Sequence, residues 1–250
     1  MSGLAATPAR SPETSSTPLP VSSRFGWSPE RAADLRYLIF GRVIPASLYA
    51  LLGYAVLRNI HASAGGWLAV LGGPVRNSLY AAFCLIPVVL FVIRPRPRAT
   101  DHRVLPRVLA FAATTMLLLL GTPFLPALTR LVVMPAWVGG VCSMVLLIAT
   151  AGEVWALLTL GLSFGIFPAA RDLVTGGPYR LVRHPLYLFE ILGALAIVIP
   201  GAQLAPLLLV AAFCAMQARR LGYEEALLRR TLPEWAAWAG GRARLVPGLW

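Results

Sequence analysis

Long apolar runs occupy most of this chain and restrict its fold more than any other feature. A helix needs ~20 apolar residues to cross the ~30 Å hydrocarbon core of a bilayer. The runs near or above this length are Tyr37 to Leu57, Asn77 to Ile93, Val104 to Phe124 and Leu131 to Leu160, and a further block from Leu186 to Met216 is interrupted at Pro200 and Gly201. Each half of that block holds about 15 residues, which is typical of a tight helical hairpin. The sequence therefore predicts an all-α fold, a polytopic transmembrane helical bundle of about five to six spans whose last two form the hairpin.

Composition supports a membrane protein. Hydrophobic residues make up 58% of the 250 residues and charged residues 13%, with a mean hydropathy of +0.71. The formal charge of +12 comes entirely from arginine, and most arginines flank apolar runs, so we expect no nucleic-acid partner. Cys84, Cys142 and Cys214 lie far apart without C-x-x-C spacing, so no metal site is predicted.

The distribution of arginines predicts the orientation in the membrane. Residues 94–107, between the second and third runs, hold five arginines and should face the cytoplasm. Threading outward from there places both termini, the segment 171–183 and the segment 219–244 on the same side, whereas the opposite loops carry Arg58, Arg76 and Arg130. We expect an integral, multi-pass protein of a bacterial inner membrane with cytoplasmic N- and C-termini.

The segment from Arg171 to Glu190 is the long polar interruption in this apolar chain. Gly176, Gly177 and Pro178 break any helix before it, and Pro185 starts a new one after it. A histidine before a proline is held in an extended conformation, so the ring of His184 projects from a fixed turn. One interpretation is a basic interfacial loop with aromatic anchors. The other is a polar pocket for a charged small molecule, with backbone N–H groups available to an anion.

Ionisable residues within apolar sequence are functional candidates, because burying a charge in a membrane costs free energy. Glu190 is one, unless it is shallow enough to be solvated or paired with Arg180 or Arg183, and Glu153 is a weaker one. Arg220 and Glu224 have i,i+4 spacing and share a helix face. A solvated helix with alternating charges is the alternative for that segment.

Together these segments resemble the isoprenylcysteine carboxyl methyltransferase and phospholipid methyltransferase-like family of integral membrane methyltransferases. The resemblance covers about 80 residues from Arg171 to the C-terminus. It runs through Leu173-Val-Thr-x-Gly-x-Tyr179, Arg183-His-Pro-x-Tyr187 and Arg220-x-x-x-Glu224-Glu-x-x-Leu228. The chain departs from the family at Phe189, where a glycine is common, and at Trp235 and Trp238, which replace tyrosines.

The resemblance implies the cofactor S-adenosyl-L-methionine and a role for each matching residue. Residues implied in cofactor binding are Arg171, Asp172, Leu173, Val174, Tyr179, His184, Pro185, Leu186, Tyr187 and Glu224. Arg220 is implied in binding the substrate and in catalysis. Glu190 is the first candidate base if the acceptor is a thiol or amine, whereas a carboxylate acceptor needs no base.

Composition and the resemblance together divide the chain into three regions. Residues 1–27 are expected to be a disordered tail, with a helix beginning at Pro29 after a Ser28 cap. Residues 28–165 would shape substrate access, and residues 166–250, including the hairpin 186–216, would bind the cofactor. The expected partners are membrane lipids and a lipidic or small apolar methyl acceptor, most simply a carboxylate.

Two other functions fit parts of the same pattern. Membrane NADPH-dependent enone or sterol reductases have a similar C-terminal region with an Arg-His-Pro-x-Tyr-x-x-Glu run, and Glu190 completes that run here. The Glu-Glu-x-x-Leu segment ending at Leu228 looks more like the methyltransferases. A non-catalytic membrane scaffold or a transporter is the remaining alternative, and it predicts no cofactor binding.

Overall fold

The computed structural model describes residues 29–58, 75–120 and 131–248, and nearly all regular structure in these ranges is helical. The tail predicted for residues 1–27 lies outside the described residues. The helices are α1 (Pro29–Leu38), α2 (Ile44–Arg58), α3 (Arg76–Ile93), α4 (Val104–Leu120), α5 (Ala136–Leu160), α6 (Pro185–Val198), α7 (Leu204–Thr231) and α8 (Trp235–Ala239). A π-helical turn (Ile39–Val43) joins α1 to α2, and short 3₁₀ turns cover Gly161–Ser163 and Gly177–Arg180. Strands β1 (Ala99–Thr100) and β2 (Ala169–Ala170) pair antiparallel.

The structure confirms the all-α membrane fold. Within the described ranges, three helical stretches are long and apolar enough to cross a membrane: Glu30–Tyr54, Ala136–Ser163 and Leu204–Thr231. Three shorter apolar helices accompany them: Asn77–Ile93, Val104–Met116 and Pro185–Val198. The third predicted run reaches beyond Leu120 into residues that are not described.

The helices pack in a chain of contacts around one large apolar core and three smaller clusters, counted over the described residues. α2 packs on α3, α3 on α5, α5 on α6, and α4 on α7. In the larger core the ring of Phe91 lies 5.9 Å from that of Tyr49 and 5.5 Å from that of Phe164, between centroids. Tyr49 and Phe164 also line the cavity described below, so this core reaches the functional site.

The hairpin differs from the prediction in its second arm. The first arm, α6, has 14 residues and matches the expected length. The second arm, α7, has 28 residues and continues through the arginine-rich segment that was predicted to be a separate helix, so the prediction of two arms of about 15 residues was wrong. α7 continues because its inner face stays buried beyond the apolar run, at Gln217, Leu221 and Leu227. Tertiary packing extends the helix where hydropathy alone predicts an end.

Close approach of α5 and α6 depends on a glycine opposite an aromatic ring. A Cβ atom added at Gly152 would lie 2.5 Å from three ring atoms of Phe189. The departure from the family at Phe189 is thus matched by a glycine on the neighbouring helix. The two positions are coupled through packing density in the bundle.

The part of the Arg171–Glu190 segment that precedes α6 is called the polar loop. Two backbone pairings hold it against the helices. The β1–β2 pair joins the loop after α3 to the chain that enters the polar segment, and Asp101 N–H donates to the carbonyl of Pro168 at 3.1 Å. At the other end Arg183 N–H donates to the carbonyl of Ala243 at 2.9 Å and His184 N–H to that of Arg244 at 3.0 Å. The C-terminal segment therefore runs beside the His-Pro turn.

Candidate functional site

A cavity lies where the polar loop meets α5, α6 and α7. It gathers most of the predicted site residues from three separate stretches of sequence. Those that line it are Arg171, Asp172, Leu173, Val174, Tyr179, His184, Leu186, Tyr187, Glu190, Arg220 and Glu224. Pro185 is not among the lining residues and instead begins α6, where its missing N–H leaves no hydrogen bond unsatisfied.

The turn that carries Tyr179 requires a glycine. Gly177 has a φ of +49°, and an added Cβ would lie 2.6 Å from Oγ1 of Thr159 at the end of α5. This tight contact lets the 3₁₀ turn press Tyr179 into the interior, where it is buried. Burial, and after it the charges of Glu224 and Glu190, raise the pKa of the Tyr179 phenol. The phenol is therefore neutral and retains its O–H donor at physiological pH.

Arg220 is held at the inner end of the cavity. Its side chain is buried, and its guanidinium donates to Oε1 of Gln217 at 3.0 Å and to the carbonyl of Ile166 at 3.1 Å. The same guanidinium lies 4.9 Å from the ring centroid of Tyr187. Its Nε has no hydrogen-bond partner among the described residues. These contacts fix the direction of the guanidinium, and Arg220 still lines the cavity.

Two carboxylates accompany Arg220, as the helical spacing predicts for one of them. Glu224 lies 3.8 Å from the Arg220 guanidinium and accepts a hydrogen bond from the hydroxyl of Tyr187. Glu190 accepts a hydrogen bond from the amide of Gln217. The alternative in which Glu190 pairs with Arg180 or Arg183 is not seen among the described residues. Its hydrogen-bond partner there is the neutral amide of Gln217.

Glu225 is the structural residue that sequence reasoning missed. Its side chain is only 3% exposed and meets three basic side chains at once. Arg183 lies 2.9 Å away, Nε2 of His184 3.2 Å and Nε of Arg244 3.1 Å. The adjacent carboxylates in Glu-Glu-x-x-Leu were the available signal, but sequence does not reveal which of two neighbours points inward. Glu225 thereby ties the His-Pro turn to the C-terminal segment.

Further lining residues come partly from the region that was predicted only to shape access. Tyr49 and Thr114 reach the cavity from α2 and α4, and Gly165 and Ile166 from the segment before β2. Trp235 and Trp238 line it from the C-terminal end. Glu153, the weaker candidate, is buried in α5 and is not among the lining residues. Oε1 of Glu153 lies 3.5 Å from the position that a Cβ atom would occupy if one were added at Gly193 of α6.

Metal ligation has no support in the ranges the structure describes. No group of three or more His, Cys, Asp or Glu side chains there is arranged to hold a metal ion. The polar groups of the cavity are instead arginines, carboxylates, phenols and indoles, a set that suits a small molecule carrying charges of both signs.

Most residues that line this cavity fall in a stretch that matches a known family model. Residues 134–234 match the sequence model of the phospholipid methyltransferase family, which confirms the resemblance found in the motifs. The chain is also similar to the cobalt-zinc-cadmium resistance protein CzcN of Cupriavidus metallidurans, with 33% identity over 103 residues. That alignment covers 41% of this chain and 45% of the relative, so the chain matches less than half of that protein's length.

Proposed function

We propose that this integral membrane protein, whose residues 134–234 belong to the phospholipid methyltransferase family, transfers a methyl group from S-adenosylmethionine to a membrane-partitioning acceptor. The observation that carries the proposal is the cavity itself. Its lining combines the polar loop, the His-Pro turn and the Arg220–Glu224 helix face, which are separate in sequence. These are the three segments in which the family resemblance lies.

The residues present fit the proposed cofactor. Arg171 and Trp238 line the cavity, and Nε of Arg171 and Nε1 of Trp238 are buried without a hydrogen-bond partner among the described residues. Unpaired buried donors cost free energy unless a ligand satisfies them. In this proposal the cofactor is held by the polar loop from Arg171 to Val174, by Tyr179, by the His184–Tyr187 turn and by Glu224. When bound, S-adenosylmethionine supplies an electrophilic methyl group on a sulfonium.

The contribution of the protein to such a displacement is alignment. An in-line attack needs the nucleophile, the methyl carbon and the sulfur on one line, and rigid positioning can supply much of the rate enhancement. Arg220 is suited to this role because three neighbours orient its guanidinium. Glu224 and Tyr187, joined by a hydrogen bond, present acidic and aromatic surface that suits a cationic sulfonium.

The acceptor is proposed to be a carboxylate on a lipidic molecule. The guanidinium of Arg220, which lines the cavity, would donate to it, and a carboxylate ionised at neutral pH needs no base. A specific observation favours an amine or thiol as the second candidate. Glu190 lines the cavity next to the neutral amide of Gln217, so it is placed to accept a proton from a protonated nucleophile.

The orientation follows from the arginine distribution. Residues 94–107 and the polar loop meet through the β1–β2 pair, so they lie on the same side of the bundle. We place this side in the cytoplasm of a bacterial cell, where the soluble cofactor is available. The acceptor would enter laterally from the membrane.

The test is ligand binding followed by an acceptor assay. Purified protein in detergent should be stabilised thermally by S-adenosylhomocysteine and not by NADPH, and isothermal titration should show one site per chain. Stabilisation by NADPH alone would support the reductase and overturn the proposal. With cofactor binding established, Arg220→Gln should abolish transfer to a carboxylate acceptor, whereas Glu190→Gln should abolish transfer only if the acceptor is an amine or thiol. Leu158→Ala, at an exposed site on α5, is the matched control.

A further inference from the structure

Two buried arginines, Arg94 and Arg171, meet beside Gly165 without an acidic partner. Arg94 is 4% exposed and Arg171 7%, and no carboxylate pairs with either one within residues 29–58, 75–120 and 131–248. Their exposed neighbours Arg96 and Arg98 are each paired with an aspartate. The usual arrangement is therefore reversed, because the buried cations are the ones left uncompensated. A buried cation without a counter-charge is expensive and marks a site for an anion.

The two guanidinium groups converge on one point. A Cβ atom placed on Gly165 would lie 3.1 Å from Nη1 of Arg171 and 3.1 Å from Nη1 of Arg94. Gly165 and Arg171 both line the cavity, and Arg94 lies behind them. The absence of a side chain at Gly165 therefore leaves a cradle at the cavity wall, flanked by two cations.

Arg94 is charged and firmly held in this position. Arg94 donates to the carbonyl of Phe164 at 2.9 Å and also to that of Gly41. Burial, and after it the charge of Arg171, lower the pKa of Arg94 to about 10, so it stays protonated at neutral pH. The phenol of Tyr37 interacts with both side chains.

We propose that Arg171, supported by Arg94 across Gly165, binds the α-carboxylate of the cofactor. This inference rests on the proposed function. The carboxylate is the one anionic group of S-adenosylmethionine, and a planar guanidinium matches its two oxygens. The positive and negative side chains of the cavity lie in different parts of it, as this binding mode requires. Arginines converge at the segment before β2, whereas Glu190 and Glu224 lie on α6 and α7, where they face the cationic sulfonium.

The test compares two ligands that differ in the amino-acid portion, which carries the carboxylate. S-adenosylhomocysteine carries the amino-acid portion, and 5′-methylthioadenosine lacks it. By isothermal titration, Arg171→Gln should weaken the binding of S-adenosylhomocysteine by roughly 10- to 100-fold, the range for a lost charge-assisted hydrogen bond. The affinity for 5′-methylthioadenosine should stay within about twofold of the wild-type value. Arg171→Lys keeps the positive charge but loses the planar guanidinium with its two parallel donors. Its affinity for S-adenosylhomocysteine should therefore lie between those of the wild type and Arg171→Gln. Arg96→Gln removes an exposed arginine nearby and should change neither affinity.

A second variant tests the cradle without changing any charge. Gly165→Ala places a methyl group at the meeting point of the guanidinium groups and should weaken S-adenosylhomocysteine selectively. Gly222→Ala, on an open face of α7 where an added Cβ meets nothing within 4 Å, is its control. Thermal unfolding of each variant verifies that it is folded.

The outcomes separate this inference from the proposed function. If the wild-type protein binds no S-adenosylhomocysteine, the proposed function fails. If the wild type binds it and Arg171→Gln and Gly165→Ala bind both ligands normally, the carboxylate subsite is overturned. Equal losses for the two ligands overturn it as well, since they indicate damage to the whole cavity. Unchanged cofactor affinity with a raised KM for the acceptor overturns it in favour of an anion on the acceptor.

Discussion

Glu225→Gln is the substitution whose effect the structure predicts most sharply. The Glu225 carboxylate is buried and faces Arg183, His184 and Arg244. Glutamine has nearly the same shape and retains one acceptor oxygen, but it removes the charge and turns an N–H₂ group toward the cations. The substitution therefore tests the charge, not the volume.

The magnitude follows from the environment of the two arginines. Removing one partner of a buried ion pair costs about 3–5 kcal/mol. The side chains of Arg183 and Arg244 are 16% and 33% exposed, so water can partly solvate them once the carboxylate is gone. We therefore expect the low end, a loss of about 3 kcal/mol. For a chain of this size that corresponds to a fall in Tm of roughly 6–12 °C.

The assay is thermal unfolding of the detergent-solubilised protein, compared with Glu234→Gln. Glu234 is exposed at the start of α8, and its substitution should change the free energy of unfolding by less than about 0.5 kcal/mol. Glu225→Gln should also weaken S-adenosylhomocysteine, because the His-Pro turn loses its anchor to α7. A fall in Tm of less than about 2 °C would refute the view that the Glu225 charge holds these segments together.

Three further predictions concern the scaffold around the site. Hydrogen bonds from the side chain of Arg103 hold the pKa of Asp101 below its usual value, so its stabilisation is complete above the unfolded pKa of about 3.9 and is lost as pH falls through the folded pKa. The Tm difference between wild type and Asp101→Asn should thus be constant from about pH 5 to 7 and close below about pH 4. Gly152→Ala should cost about 1–3 kcal/mol in the free energy of unfolding by driving a methyl group into Phe189. In a double-mutant cycle, the same Gly152→Ala change made in a Phe189→Ala background should cost much less. Gly177→Ala should lower Tm, because position 177 has a positive φ and a tight contact with α5. It should also reduce the cofactor affinity measured by titration, because the turn that holds the buried Tyr179 would shift.

Much of the candidate site was predictable because it is local in sequence. The polar loop, the His-Pro turn and the i,i+4 pair of Arg220 and Glu224 are short patterns, and helical geometry places that pair on one face. The structure brings the predicted lining residues to one cavity, with the exception of Pro185. Their roles toward a cofactor and an acceptor remain proposals with the experiments given above.

The residues that were missed depend on contacts between distant segments. Arg94 lies far before Arg171 in the sequence. From sequence alone its charge, like that of the neighbouring arginines, indicates only the orientation of the chain in the membrane. Only the packing of the α3 end against the segment before β2 separates it from exposed Arg96. Glu225 is hidden in the same way, because adjacent residues on a helix point in different directions and sequence does not say which direction is inward.

By itself, the sequence determined the membrane class, the helical architecture and the position of the polar loop, since these follow from hydropathy, proline and glycine placement and short motifs. Tertiary structure alone decided how far α7 extends, which glutamate anchors the C-terminal segment and which arginines are buried without a counter-charge. The physical reason is that hydropathy and backbone preference act over a few residues. Burial and charge compensation depend on which surfaces the whole bundle brings together.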